Sequence, residues 1–135
     1  MKNLLIEART TNLDRVLGFI EEQLEEAGCP IKARLQIAVA AEEIFINIAS
    51  YAYEKATGEA SVSIRICPDP RAVELTFKDS GVPYDPLAKP DPDVTLPAEK
   101  RGIGGLGIYM VKKSMDDVRY EYKDGQNILT LVKHF

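Results

Sequence analysis

Glu43 and Asn47 stand four residues apart in a stretch, from about Ile31 to Tyr53, that holds neither Gly nor Pro. At about 100° per residue, Gln36, Ala40, Glu43, Asn47, Ser50 and Glu54 fall on one helical stripe, with Ala38, Phe45, Ala49 and Ala52 roughly opposite. The carboxylate and the amide oxygen therefore point the same way, one turn apart. Such a pair can polarise a hydroxyl or a water and hold a hard cation such as Mg²⁺. The same pair also suits a solvated polar helix face. Glu42 falls instead with Ile31, Leu35, Ala49 and Tyr53, which predicts a partnered structural carboxylate.

A second segment is Asp79-Ser80-Gly81-Val82-Pro83-Tyr84-Asp85-Pro86. Asp79 ends a strand pattern and could accept from an exocyclic amine, while Gly81 would let a flat ligand approach the backbone. Read alone, the segment is also an ordinary turn. The third is Arg101-Gly102-Ile103-Gly104-Gly105-Leu106-Gly107-Ile108, which leads into a helix. Unpaired N–H groups and the positive end of the dipole at a helix start can hold phosphates, and glycines let the backbone close around them. Gly102, Gly104 and Gly107 also fit the dinucleotide spacing G-x-G-x-x-G. The context fails, because a proline-rich loop precedes them and no repeated strand-helix-strand halves exist to build a doubly wound sheet.

These segments need a scaffold, and the rest of the chain supplies one. Lys2 to Ala8 is an apolar stretch of strand length; Thr10, Thr11 or Asn12 then offers an N-cap before Leu13, Val16, Leu17, Ile20 and Leu24 at helical spacing. Gly28 stops that helix and Pro30 suits the first turn of the next. Ala60 to Cys67 and Ala72 to Lys78 alternate as strands joined at Pro68 to Arg71. Pro83, Pro86, Pro90, Pro92 and Pro97 exclude helix and central strand from the next roughly twenty residues, a length that suits a functional lid. Gly107 to Met115 reads as a short helix, and Val118 to Tyr122 and Ile128 to Val132 as strands joined at Asp124-Gly125.

The chain has 135 residues, 45% of them hydrophobic and 28% charged, with a net charge of −4. That is enough for one core and too little for two ordinary domains. Lys and Arg are scattered, which argues against direct nucleic-acid binding. No run of 18 apolar residues and no basic-then-apolar leader is evident, so no membrane role and a soluble, cytoplasmic protein are expected. Cys29 and Cys67, far apart and outside any CxxC, read as reduced core cysteines.

In order along the chain, Glu43-x-x-x-Asn47, Asp79-x-Gly81-x-Pro83-Tyr84-Asp85 and the Gly102 to Gly107 loop resemble the three ATP-binding boxes of the GHKL ATPases. Within that superfamily the chain resembles the stand-alone anti-sigma factor kinases, since its length leaves no room for dimerising helical hairpins or transducer domains. The resemblance implies an α+β, two-layer α/β sandwich (the Bergerat ATP-binding fold) over residues 1–135. It has a mixed, mostly antiparallel sheet, helices on one face, and ATP beneath a lid at roughly 82–104. Carried over by position, Glu43 is the general base, Asn47 the Mg²⁺ ligand, Asp79 the adenine contact and Gly81 the residue that admits the base. Gly102, Gly104, Gly105 and Gly107 wrap the phosphates, and Arg101 assists transfer. Tyr51 departs from the family, many of whose members carry a His there.

The implied activity is that of a serine-protein kinase which phosphorylates a small anti-sigma antagonist protein and otherwise sequesters a sigma factor. The alternative is an ATP-binding interaction module without kinase activity. Homodimerisation is a further implication, with the exposed sheet face or the first helix as the place for an apolar patch.

Overall fold

The computed structural model describes residues 1–53, 58–88 and 106–135. Arg101, Gly102, Gly104, Gly105, Glu54 and most of the expected lid at 82–104 lie outside the described residues. The chain runs β1 (Lys2–Glu7), a 3₁₀ turn (Thr10–Asn12), α1 (Leu13–Glu26), α2 (Ile31–Asn47), a π-helical turn (Ile48–Ala52), β2 (Glu59–Pro68) and β3 (Arg71–Asp79). A second 3₁₀ turn (Pro86–Ala88), α3 (Leu106–Ser114), β4 (Asp117–Lys123) and β5 (Gln126–His134) complete it.

The strands form one sheet in the order β1-β2-β3-β5-β4. Every pairing among the described residues is antiparallel, so the expected two-layer sandwich carries no parallel pair there. Period-two alternation sets its faces. Ala60, Val62 and Ile64 of β2, Val73, Leu75 and Phe77 of β3, and Leu129 and Leu131 of β5 are buried on one face. Ser61, Ser63, Arg65, Glu74, Thr76 and Thr130 take the other face. There Ser61 and Ser63 donate to Asn3 Oδ1 and Arg65 pairs with Glu74.

The helices cover the apolar face. Val16, Ile20 and Leu24 bury the stripe of α1 that its periodicity predicts. No side chain caps its first turn: Asn12 donates instead from Nδ2 to Glu7 O at 2.9 Å, tying the helix start to β1. Its end is a Schellman turn, in which Gly28 at φ 70° lets its N–H reach Glu25 O and that of Cys29 reach Leu24 O. Cys29 is buried and Cys67 half-buried, and both are free thiols. The turn between β4 and β5 has Asp124 at φ 54° and Gly125 at φ 77°, the left-handed pair that matches strand twist.

Helix α2 lies between α1 and α3. Ala33, Ile37, Ala40, Ala41, Ile44 and Phe45 are buried and form one broad packed face of the helix. By length and mean hydropathy alone the run Ile31–Ala52 is long and apolar enough to cross a membrane, contrary to the sequence expectation. It carries Lys32, Arg34, Glu42 and Glu43, and Arg34 pairs with Glu21 of α1. Its outward ridge is apolar at one end: Ile31, Leu35 and Val39 are 64%, 61% and 63% exposed. Glu42 belongs to this exposed ridge and has no ion pair or hydrogen bond among the described residues. The expectation of a partnered structural carboxylate fails because the residues on its side of the wheel face solvent rather than a neighbour. Exposed apolar side chains thus gather on α2, with Met110 of α3, while the open sheet face carries Leu5.

Candidate functional site

Where α2 gives way to the π-helical turn, the chain makes a cavity of about 140 Å³ against the sheet. Its walls are Ile44, Ile48 and Ala52 from the helix, Phe77 and Leu129 from the sheet, and Val82, Pro83 and Pro86 from the loop after β3. Asn47, Asp79, Tyr120 and Asn127 supply its polar atoms. An apolar slot with a few fixed polar groups takes a flat ring better than a phosphate.

The stripe of Glu43 and Asn47 faces α3 and the cavity rather than open solvent. Asn47 lines the cavity, whereas Glu43, one turn back and about 6 Å along the axis, lines a groove between α2 and α3 with Gly107, Met110 and Val111. A Cβ on Gly107 would come within 2.1 Å of the Glu43 carboxyl group. The start of α3 is therefore seated on Glu43, and the first and third sequence segments meet.

Asp79 closes the other end. It is the last residue of β3, faces the helices, and is only 5% exposed. Its Oδ1 accepts from the Gly81 N–H at 2.9 Å and from Asn127 Nδ2 at 2.9 Å. Its Oδ2 has no hydrogen-bond partner among the described residues. A buried carboxylate oxygen calls for a donor, and one facing a cavity can take it from a ligand or a water.

Backbone packing by itself demands a glycine at 81. A Cβ there would lie 2.1 Å from Ala52 O, and the next N–H, that of Val82, donates to this carbonyl at 2.9 Å. The loop after β3 is thus hydrogen-bonded to the π-helical turn, and such turns often occur at functional sites. Tyr53, just beyond, holds the same junction: its hydroxyl donates to Glu59 O at 2.6 Å and accepts from the Ser80 N–H at 2.8 Å. Gly58 leaves room for the Tyr53 ring, which a Cβ would meet at 2.4 Å.

Sequence reasoning missed Asn127, Tyr120 and Tyr53. Asn127 is directly opposite Asp79 in the β3–β5 register and 7% exposed. The signal was strand phase, since Leu129 and Leu131 face inward and the same parity carries Asn127 inward with them. Tyr120 donates to Asn127 Oδ1, and burial pushes its phenol above the ordinary value, with Asp85 and Asp79 nearby adding to the rise. Tyr51 sits at the cavity edge, 64% exposed.

The family of histidine kinase-like ATPase domains matches residues 6–133. The chain is similar to a Bordetella bronchiseptica protein named serine/threonine-protein kinase BtrW, 28% identical over 103 residues that cover 76% of this chain and 72% of that one. It is also similar to a Bacillus cereus (strain Q1) protein named serine-protein kinase RsbW, 26% identical over 117 residues, or 84% of this chain and 66% of that one. It thus spans about two thirds of the length of these relatives. Among solved structures it is similar to the RsbU and RsbW domains of a Mycobacterium tuberculosis protein, with a TM-score of 0.65 at 16% identity. That likeness covers 99% of this chain and 32% of the other, and shows the fold.

Proposed function

We propose, from the premise that this chain belongs to the histidine kinase-like ATPase domain family, that it is an ATP-dependent serine-protein kinase. Its substrate is a small anti-sigma antagonist protein, and it sequesters a sigma factor when not engaged with that substrate. The observation that carries the reading is that Asn47 and Asp79 line one cavity while Glu43, one turn back on the same helix, lines a neighbouring groove with Gly107 at the start of α3. The names of the relatives support the kinase class.

The residues fit ATP at its base end, because the buried Asp79 Oδ2 calls for a donor and an exocyclic amine is one. They fit Mg²⁺ through the Asn47 amide oxygen, since this ion keeps most of its shell as water and phosphate oxygens. When bound, ATP supplies the phosphoryl group that is transferred. Ile44, Ile48, Phe77 and Leu129 exclude water around the base. Asn47 would hold the metal, the backbone N–H groups at Gly102, Gly104, Gly105 and Gly107 would bind the phosphates, and Arg101 would add positive charge. Glu43 would take the proton from the serine hydroxyl of the partner as that oxygen bonds to the γ-phosphorus and the bond from that phosphorus to the β–γ bridging oxygen breaks, with ADP leaving.

Incubation with a candidate antagonist and labelled ATP tests the kinase half. Glu43→Ala should lower transfer about 10²- to 10⁴-fold while ADP still binds. If instead Glu43→Ala leaves regulation of the partner unchanged, the chain acts as an ATP-binding interaction module without transfer. A homodimer is proposed with it, and light scattering that gave a monomer at working concentration would remove that part.

A further inference from the structure

The in-facing row of the sheet nearest the loop after β3 reads Ile6, Ala60, Asp79, Asn127 and Tyr122 in register across all five strands. Asp79 and Asn127 are the two buried polar residues among the described residues, and they are bonded to each other. An amide side chain has two N–H donors and an oxygen that accepts twice. In Asn127 all four are used within the protein. Nδ2 donates to Asp79 Oδ1 and to Val82 O, each at 2.9 Å, and Oδ1 accepts from the Tyr84 N–H at 3.1 Å and from the Tyr120 hydroxyl. The amide cannot be turned over, because Val82 O only accepts and the Tyr84 N–H only donates.

Asn127 therefore has no hydrogen-bonding capacity left for a ligand, and what it does it does through Asp79 and the loop. It fixes the carboxylate plane by occupying Oδ1 together with the Gly81 N–H, leaving Oδ2 as the acceptor without a partner among the described residues. It also pins Val82 and Tyr84, which wall the cavity.

We propose that Asn127 is the positioning residue that sets base selectivity, holding Asp79 so that the site accepts a purine with an exocyclic amine and rejects one with an oxo group in that place. The inference rests on the nucleotide reading above. An oxo group would set an acceptor against a carboxylate oxygen in the place where the amine sets a donor. A site built to pair a buried polar group discriminates strongly against the analogue that leaves it unpaired.

The test is calorimetric titration of the full chain with ADP and with inosine diphosphate, on wild type, Asn127→Leu and Asn127→Asp. Thermal melts identify the variants that keep their fold; Asn127→Asp preserves shape and both oxygen contacts but sets a second carboxyl group against Asp79, so that the two share a proton and Asp79 no longer presents a fixed anionic acceptor. The wild type should prefer ADP at least about tenfold. In the variants that preference should fall to within about threefold of unity, through weaker ADP binding, with inosine diphosphate affinity little changed. Equal weakening of both ligands with the preference intact would overturn the inference, leaving Asn127 a merely structural residue. A wild type that bound both ligands equally would overturn it too, while the nucleotide site stood. A wild type that bound neither would instead refute the nucleotide reading itself.

Discussion

A Cβ on Gly81 would lie 2.1 Å from Ala52 O and 2.5 Å from its carbonyl carbon. These are backbone atoms, so nothing flexible is there to give way. Gly81→Ala should therefore cost about 2 kcal/mol or more, read as a fall of roughly 6–10 °C in Tm. At Gly107 the atoms in the way are the far end of the Glu43 side chain, which can swing aside. Gly107→Ala should leave Tm within about 2 °C and lower phosphoryl transfer about 100-fold by displacing the base, since an ångström of misplacement has that order of effect. Comparing the two variants by melting and by turnover separates a glycine that the fold needs from one that the chemistry needs. A Gly107→Ala protein with full turnover would remove Glu43 from the role of base.

At the level of elements, the decisive feature is the junction where α2 widens into the turn Ile48–Ala52 and meets the end of β3. Tyr53 fastens it through one hydroxyl that serves two strands. Tyr53→Phe should cost about 1 kcal/mol and weaken nucleotide binding by loosening Ser80, measurable by denaturant melts and titration side by side. The elements themselves were legible: alternation located β2, β3 and β5, helical spacing located α1 and α2, and Gly28 and Asp124-Gly125 marked their turns. The widened turn was not, because one extra residue per turn shifts Ala52 and Tyr53 away from the wheel positions that a uniform 100° step assigns. Asn127 was hidden differently. It stands two residues after Gly125, where a polar residue reads as part of the hairpin, and only the register against Asp79 shows that it is buried. The places of Glu43, Asn47 and Asp79 could be read from sequence because each ends or lines an element whose period is plain.

For the molecule as a whole, one core joins the site to the fold, since Phe77 is both fully buried and a wall of the cavity. Phe77→Ala should cost about 3–5 kcal/mol and weaken nucleotide binding with it. Burial raises the Cys29 thiol and the Tyr120 phenol above their ordinary values. A group whose pKa is raised by folding contributes stability below its unfolded value and loses it as pH rises through the folded one. Tm should therefore decline on the alkaline side, beginning above roughly pH 8.5 for the thiol and pH 10 for the phenol. Tyr120→Phe should flatten the upper part of that decline. The central claim is that one nucleotide site is shared by the Asp79 cavity and the Glu43–Asn47 stripe. Isothermal titration with ADP and ATP, with and without Mg²⁺, on wild type and Asn47→Ala tests it most directly. Binding that Mg²⁺ tightens in the wild type, and that Asn47→Ala returns to its metal-free level, is the predicted result. No detectable binding, or a Mg²⁺ effect undiminished in Asn47→Ala, would contradict it.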